Sequence, residues 1–122
     1  MIVEDNDDNR DMLVELLRSE GHMVWAADNG LSGADLILAE RPDVALVDVG
    51  LPGLDGFGVA TRVREAVAGL VRLVALTGYG LPQDRTRATD AGFDCHVLKP
   101  IEPSALFRVL REVSPSTPQR PS

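Results

Sequence analysis

Short runs of apolar residues alternate along the chain with stretches in which apolar positions recur every three or four residues, and the alternation repeats five times. The runs are Ile2-Val3, Met23 to Ala27, Val44 to Val47, Leu73 to Leu76 and Cys95 to Leu98. Gly and Pro punctuate them, and this rhythm predicts an α/β fold built from βαβ units on a parallel sheet. Three runs are near-continuous in apolar residues, as strands covered by helices on both faces are, which makes them central strands. No repeat of sequence underlies the rhythm. Met12, Leu13, Leu16 and Leu17 share one side of a helix that stops at Gly21, and Leu106, Val109, Leu110 and Val113 recur at i, i+3, i+4 and i+7. The segment from Pro82 to Ala91 offers little beyond Ala88 and Ala91 to bury, so a helix there, capped by Gly92, is expected to be weakly anchored and free to shift. Residues 114–122 contain three prolines and no large apolar side chain, and they read as a disordered tail or linker that ends the domain near Val113. The first strand has almost nothing ahead of it, which reads as a trimmed start.

A chain of 122 residues, 44% hydrophobic and 25% charged, makes one domain long enough to bury a sizeable core. Twelve Lys and Arg against nineteen Asp and Glu give a net charge of −7, so an electrostatic footprint for nucleic acid or anionic lipid is not expected. No apolar run approaches the roughly 20 residues that span a bilayer, and acidic residues follow the first strand before a signal-peptide core could form. A cytoplasmic location without membrane contact is the expectation. A single Cys95 leaves no structural disulfide and no Cys-based metal site.

Ligands of an open parallel sheet bind beyond the carboxyl ends of its strands, so the residues that follow each run matter most. They are Glu4 and Asp5 after the first, Asp48 after the third, Thr77 after the fourth and Lys99-Pro100 after the fifth. Three converging carboxylates either raise a pKa or hold a divalent cation. Oxygen donors without His or Cys point to a hard ion, Mg²⁺ or Mn²⁺, whose shell water and a backbone carbonyl complete; Gly50 is the candidate carbonyl. A carboxylate beside such an ion can attack phosphorus, and Asp48 is best placed to do so. Lys99 then supplies a compact positive charge and Thr77 a hydroxyl donor to the phosphoryl oxygens. Singly these residues have plainer readings, since acids after a strand commonly cap the next helix and Asn6, Asp7 or Asp8 could do so here. What points to chemistry is the ordered set at four strand ends. Gly78-Tyr79-Gly80 fits no phosphate-loop pattern, His22 and His96 lack ligand spacing, and no Ser stands in a nucleophile elbow.

The motifs Ile2-Val3-Glu4-Asp5-Asn6, Val47-Asp48-Val49-Gly50-Leu51-Pro52-Gly53-Leu54-Asp55-Gly56, Ala75-Leu76-Thr77-Gly78 and Leu98-Lys99-Pro100 closely resemble the receiver domains of response regulators in bacterial two-component phosphorelays, over residues 1–113. The resemblance implies a flavodoxin-like, doubly wound sheet of five parallel strands in the order 2-1-3-4-5 with five helices. It implies a domain that takes a phosphoryl group from a histidine kinase or histidine phosphotransfer protein, with catalysis limited to its own phosphorylation and dephosphorylation. By motif position Asp48 is the phospho-acceptor, Glu4 and Asp5 the acidic pair of the Mg²⁺ site with Asp5 a direct ligand, Gly50 the carbonyl ligand, Thr77 the switch hydroxyl and Lys99 the site lysine. The Pro and Gly of Leu51 to Gly56 fix the turn leaving the strand and open a third helix near Phe57.

Many receivers carry Tyr or Phe three residues before the lysine, whereas this chain has His96. That arrangement is similar to receivers fused to sensor histidine kinases, so a hybrid kinase is the expected parent, with a stand-alone regulator or a phosphorylation-independent pseudo-receiver as alternatives. His96 reads either as a switch residue that reports the state of Asp48 or as a neutral buried or surface histidine. The Pro82 to Ala91 helix, His96 and the last helix form the expected output surface, and a homodimer through the last helix is a mode the family uses. A phosphohydrolase with an Asp nucleophile is the rival from another class, but it usually wants a second acid where Gly50 stands.

Overall fold

A computed structural model describes residues 1–51, 53–78 and 82–113. The elements run β1 (Ile2–Val3), α1 (Asp7–Ser19), β2 (Ala26–Ala27), α2 (Gly30–Glu40), β3 (Val44–Asp48), α3 (Gly56–Val67), a 3₁₀ turn (Ala68–Leu70), β4 (Arg72–Thr77), α4 (Pro82–Ala91), β5 (Cys95–Leu98) and α5 (Pro103–Val113). The five strands form one sheet in the order β2-β1-β3-β4-β5, with every pairing parallel. This is the doubly wound, flavodoxin-like architecture expected from the sequence. Residues 114–122, expected to form a tail, lie outside the described residues, as does Pro52 of the loop before α3.

Successive strand residues point to opposite faces, and each face has its own core. Val3, Ala45, Val47, Leu73 and Ala75 pack with Ile37 of α2 and Val59 and Val63 of α3. Ile2, Leu46, Val74, Leu76 and Val97 pack with Leu13 and Leu17 of α1 and Leu106 and Leu110 of α5. Each fully buried Leu, Ile or Val here contributes about 1.5–3 kcal/mol relative to exposure.

Among the described residues three helix starts are capped by side chains: Asn6 Oδ1 accepts from the Asn9 N–H at 2.9 Å, Asn29 Oδ1 from Ser32 at 2.8 Å and Asp55 Oδ1 from Gly58 at 2.9 Å. Asp7 and Asp8 in the first turn of α1 add favourable charge at its positive end. At the close of α4 the Gly92 N–H reaches the carbonyls of Ala88 and Thr89, with φ at +115°, so the expected cap is present. Among the described residues no helix is long and apolar enough to cross a membrane.

The second strand is shorter than its apolar run, which began at Met23. β1 offers only Ile2 and Val3 as ladder partners, for Ala26 and Ala27, and Met23 is 78% exposed. In contrast β3 and β4 outrun their apolar stretches, taking Asp48 and Thr77 into the ladder opposite Leu76 and Leu98.

Two features fix what lies at the sheet's ends. Gly56 opens α3 directly against the end of β3: a Cβ there would stand 2.5 Å from the Asp48 carbonyl oxygen and 2.5 Å from the Val49 Cα, so only hydrogen fits. At the opposite end of β4, Arg64 of α3 donates from Nε to the Gly92 carbonyl (2.7 Å), from Nη1 to the carbonyls of Val71 (2.6 Å) and Ala68, and from Nη2 to Asp94 Oδ2 (2.6 Å). Asp94 Oδ2 also accepts the Leu73 N–H at 2.8 Å. The end of α3, the start of β4 and the turn after α4 are thereby tied to one guanidinium.

Candidate functional site

The polar residues singled out at the strand ends come together at the carboxyl edge of the sheet. Glu4 leaves β1 with its N–H held by the Ala27 carbonyl at 3.1 Å, and its side chain is fully buried. Asp48 ends β3 and Thr77 ends β4, both buried, while Lys99 follows β5 with its N–H on the Thr77 carbonyl at 2.8 Å. The Lys99–Pro100 peptide bond is cis. Oxygens of Glu4, Asp5 and Asp48 lie within 4.8 Å of one another, and Asp5 is exposed at the mouth of the group.

Lys99 Nζ bridges the two buried acids, 2.8 Å from Glu4 Oε1 and 3.0 Å from Asp48 Oδ2. Glu4 Oε1 is buried, and the Lys99 ammonium is the cation it faces. Glu4 Oε2 accepts the Asn6 N–H at 3.3 Å, and Asp48 Oδ1 accepts the Gly50 N–H at 2.9 Å. The contact recorded at Gly50 is thus its amide, which orients the Asp48 carboxylate.

The shared burial divides the two acids. Burial raises the Glu4 pKa, and neighbouring Asp48 adds to the rise while Lys99 opposes it. Burial would raise Asp48 too, but the Gly50 N–H, a side-chain hydrogen bond with Glu4 and the Lys99 ammonium outweigh it and hold Asp48 below the ordinary carboxylate range. Lys99 is raised, since its two acidic neighbours more than offset its own desolvation. The geometry therefore holds Asp48 as the ionised carboxylate and makes Glu4 the readier proton carrier.

Three carboxylates whose oxygens lie within 4.8 Å of one another, two of them buried, with no His or Cys in the group, match the donor set of a hard divalent cation. The residues present fit such an ion.

His96 lies elsewhere. It pairs with Ala75 across β4 and β5, half-buried on the face that carries α2, α3 and α4. Two groups near the site escaped sequence reasoning. Arg10 of α1 donates from Nη1 to the Glu4 carbonyl at 3.0 Å, holding the strand end that presents Glu4. Arg87 of α4 sits over the Phe57 ring, with its Cζ 4.1 Å from the centroid, and its Nη2 is 3.9 Å from Asp55 Oδ2. Only the first had a local signal, an Arg one helical turn after the cap.

Comparison with known proteins converges on one family. The response regulator receiver domain matches residues 1–111. An uncharacterised 14.6 kDa protein of Leptolyngbya boryana is 35% identical, covering 92% of this chain and 86% of that protein. The transcriptional regulatory protein CseB of Streptomyces coelicolor is 36% identical over 93% of this chain, which spans only 47% of CseB. Among solved structures, the receiver domain of the sensor histidine kinase PA1611 from Pseudomonas aeruginosa, crystallised with a magnesium ion in its active-site cleft, superposes with a TM-score of 0.84 at 32% identity, covering 92% of this chain and 93% of that one.

Proposed function

The chain belongs to the family of response regulator receiver domains, and we propose that it accepts a phosphoryl group on Asp48 from a phosphohistidine of a histidine kinase or phosphotransfer protein. The observation that carries this reading is the Lys99 ammonium set between Glu4 and Asp48, with Asp5 at the mouth of the same group. Asp48 is kept ionised, so a carboxylate lone pair is available at neutral pH without a general base. One of its oxygens bonds to phosphorus as the P–N bond breaks, and the electron pair leaves with the imidazole. Lys99 meets the charge of the arriving oxygens, and Thr77, tied to Lys99 through the backbone, offers its hydroxyl to them. Glu4, Asp5, Asp48 and the Gly50 carbonyl are the residues that would hold Mg²⁺. When bound, that ion neutralises phosphoryl oxygens and aligns the displacement.

The folded receiver on this reading is residues 1–113, and α4, His96 and α5 are its output surface, biased between two positions by the state of Asp48. His96 and the likeness to the PA1611 receiver support a hybrid sensor kinase as the parent chain. The 86% coverage of the Leptolyngbya protein supports a stand-alone regulator as the second reading.

Intact mass after incubation with a small acyl phosphate, with and without Mg²⁺, tests the acceptor. Gain of one phosphoryl group by the wild type with Mg²⁺, and none by Asp48→Asn or after chelation, is the expected result. No gain by a folded wild type under donor excess would leave a protein-binding module in its place.

A further inference from the structure

Helix α4 is the least apolar helix of the fold, and Ala88 is the side chain it buries among those described from Thr86 to Ala91. The turn at its C-terminal end is fixed, since Arg64 bonds the Gly92 carbonyl and Phe93 is buried beside Ala88. Along its length, Arg87 lays its guanidinium on the Phe57 ring and points toward the Asp55 carboxylate. Phe57 in turn meets Phe93 edge to face, 6.5 Å between centroids at 78°.

Asp55 and Phe57 flank Gly56, the residue packed too tightly against the Asp48 and Val49 backbone to admit a Cβ. The Gly56 N–H also bonds the Val49 carbonyl at 3.3 Å. A displacement of the acceptor's backbone therefore reaches Asp55 and Phe57 with nothing compressible between. We propose that Arg87 is a latch that joins α4 to the first turn of α3, so that phosphoryl transfer to Asp48 releases α4 by withdrawing Phe57 and Asp55 from the guanidinium. The coupling half of this proposal rests on Asp48 being the acceptor; the ground-state contact does not. With the Gly92 end clamped, release lets α4 pivot about that end. Arg87 acts through Phe57 and Asp55 on the position of α4 and is a positioning residue.

Hydrogen exchange of the α4 amides, read by mass spectrometry on the full chain with Mg²⁺, before and after acyl phosphate, tests the latch. An exposed cation–π contact corresponds to an exchange increase of about two- to fivefold on its removal. Arg87→Ala and Phe57→Leu should each speed exchange over residues 86–91 by that factor, and the double variant by no more than either alone. Arg87→Lys, which keeps the charge and loses the planar stack, should fall between. Phosphorylation should speed exchange there in the wild type but not further in Arg87→Ala, while phosphoryl uptake itself persists in every one of these variants. Additive effects, or no effect, with normal uptake would overturn the latch and leave the acceptor reading standing. Non-additive effects in a wild type that takes no phosphoryl group would support the ground-state contact and overturn the acceptor reading with its coupling.

Discussion

Replacing Lys99 with Met removes the ammonium from between two buried acids while keeping a side chain of similar length. Its Nζ is 2.8 Å from Glu4 and 3.0 Å from Asp48. At an effective dielectric constant of about 20, each such pair is worth about 5–6 kcal/mol before desolvation, which cancels most of it. Breaking a buried pair by deleting one partner costs about 3–5 kcal/mol. Because 24% of the Lys99 side chain remains accessible, and Glu4 relieves the repulsion by taking a proton, we expect Lys99→Met to cost about 2–3 kcal/mol near pH 7.5. That corresponds to a fall in Tm of about 6–15 °C. The loss is pH-dependent with a definite sign. A raised Glu4 pKa gives a stabilising contribution that is complete below the ordinary glutamate value of about 4.3 and disappears as pH rises through the folded value. Without Lys99 that folded value climbs further, so the deficit of the variant opens as pH rises and is smaller near pH 5 than near pH 7.5. Urea unfolding followed through Trp25, the only tryptophan and half-buried, reads both quantities. A deficit under about 0.5 kcal/mol near pH 7.5, the range of ordinary surface changes, or one equal at the two pH values, would refute the electrostatic account of the site.

Titration with Mg²⁺ should stabilise the protein, by about 2.7 kcal/mol at a hundred times its dissociation constant, and Asp5→Asn should abolish most of that gain in thermal melts while altering the metal-free Tm little. Arg64→Ala strips a donor from the Gly92 and Val71 carbonyls and from Asp94, and urea unfolding should show a loss of about 2–4 kcal/mol. Asn6→Ala removes the α1 cap and should cost about 1 kcal/mol in the same assay.

Much of the fold was legible because it is written in local patterns. The strands at Val44 and Leu73 announce themselves as apolar runs, and Asn6 and Gly92 punctuate helices where short-range chemistry requires it. Convergence of Glu4, Asp48, Thr77 and Lys99 followed from one topological rule, that strand ends of a parallel sheet share an edge. What the residues alone did not convey was the difference between neighbours. Glu4 and Asp5 look like a pair, yet one is fully buried against Lys99 and the other stands exposed at the mouth of the same group, just beyond the two-residue strand that carries them. The run from Met23 overstated β2, whose length is limited by a two-residue partner rather than by its own composition. Contacts of Arg64 with Asp94 and of Arg87 with Phe57 join positions about thirty apart with no shared period, and only folding brings them together.

The close fit of Gly56 against the end of β3 also bears on how maps of mutational intolerance will read for this protein. Every substitution at Gly56 must push its Cβ into main-chain atoms of Asp48 and Val49, so a scan scored by signalling output will mark Gly56 as harshly as the acceptor itself. Scored instead by cellular abundance, the two positions part company: Asp48→Asn should accumulate normally, whereas Gly56 variants should be cleared. A residue without a side chain will thus pass for part of the chemistry unless the two scores are read together.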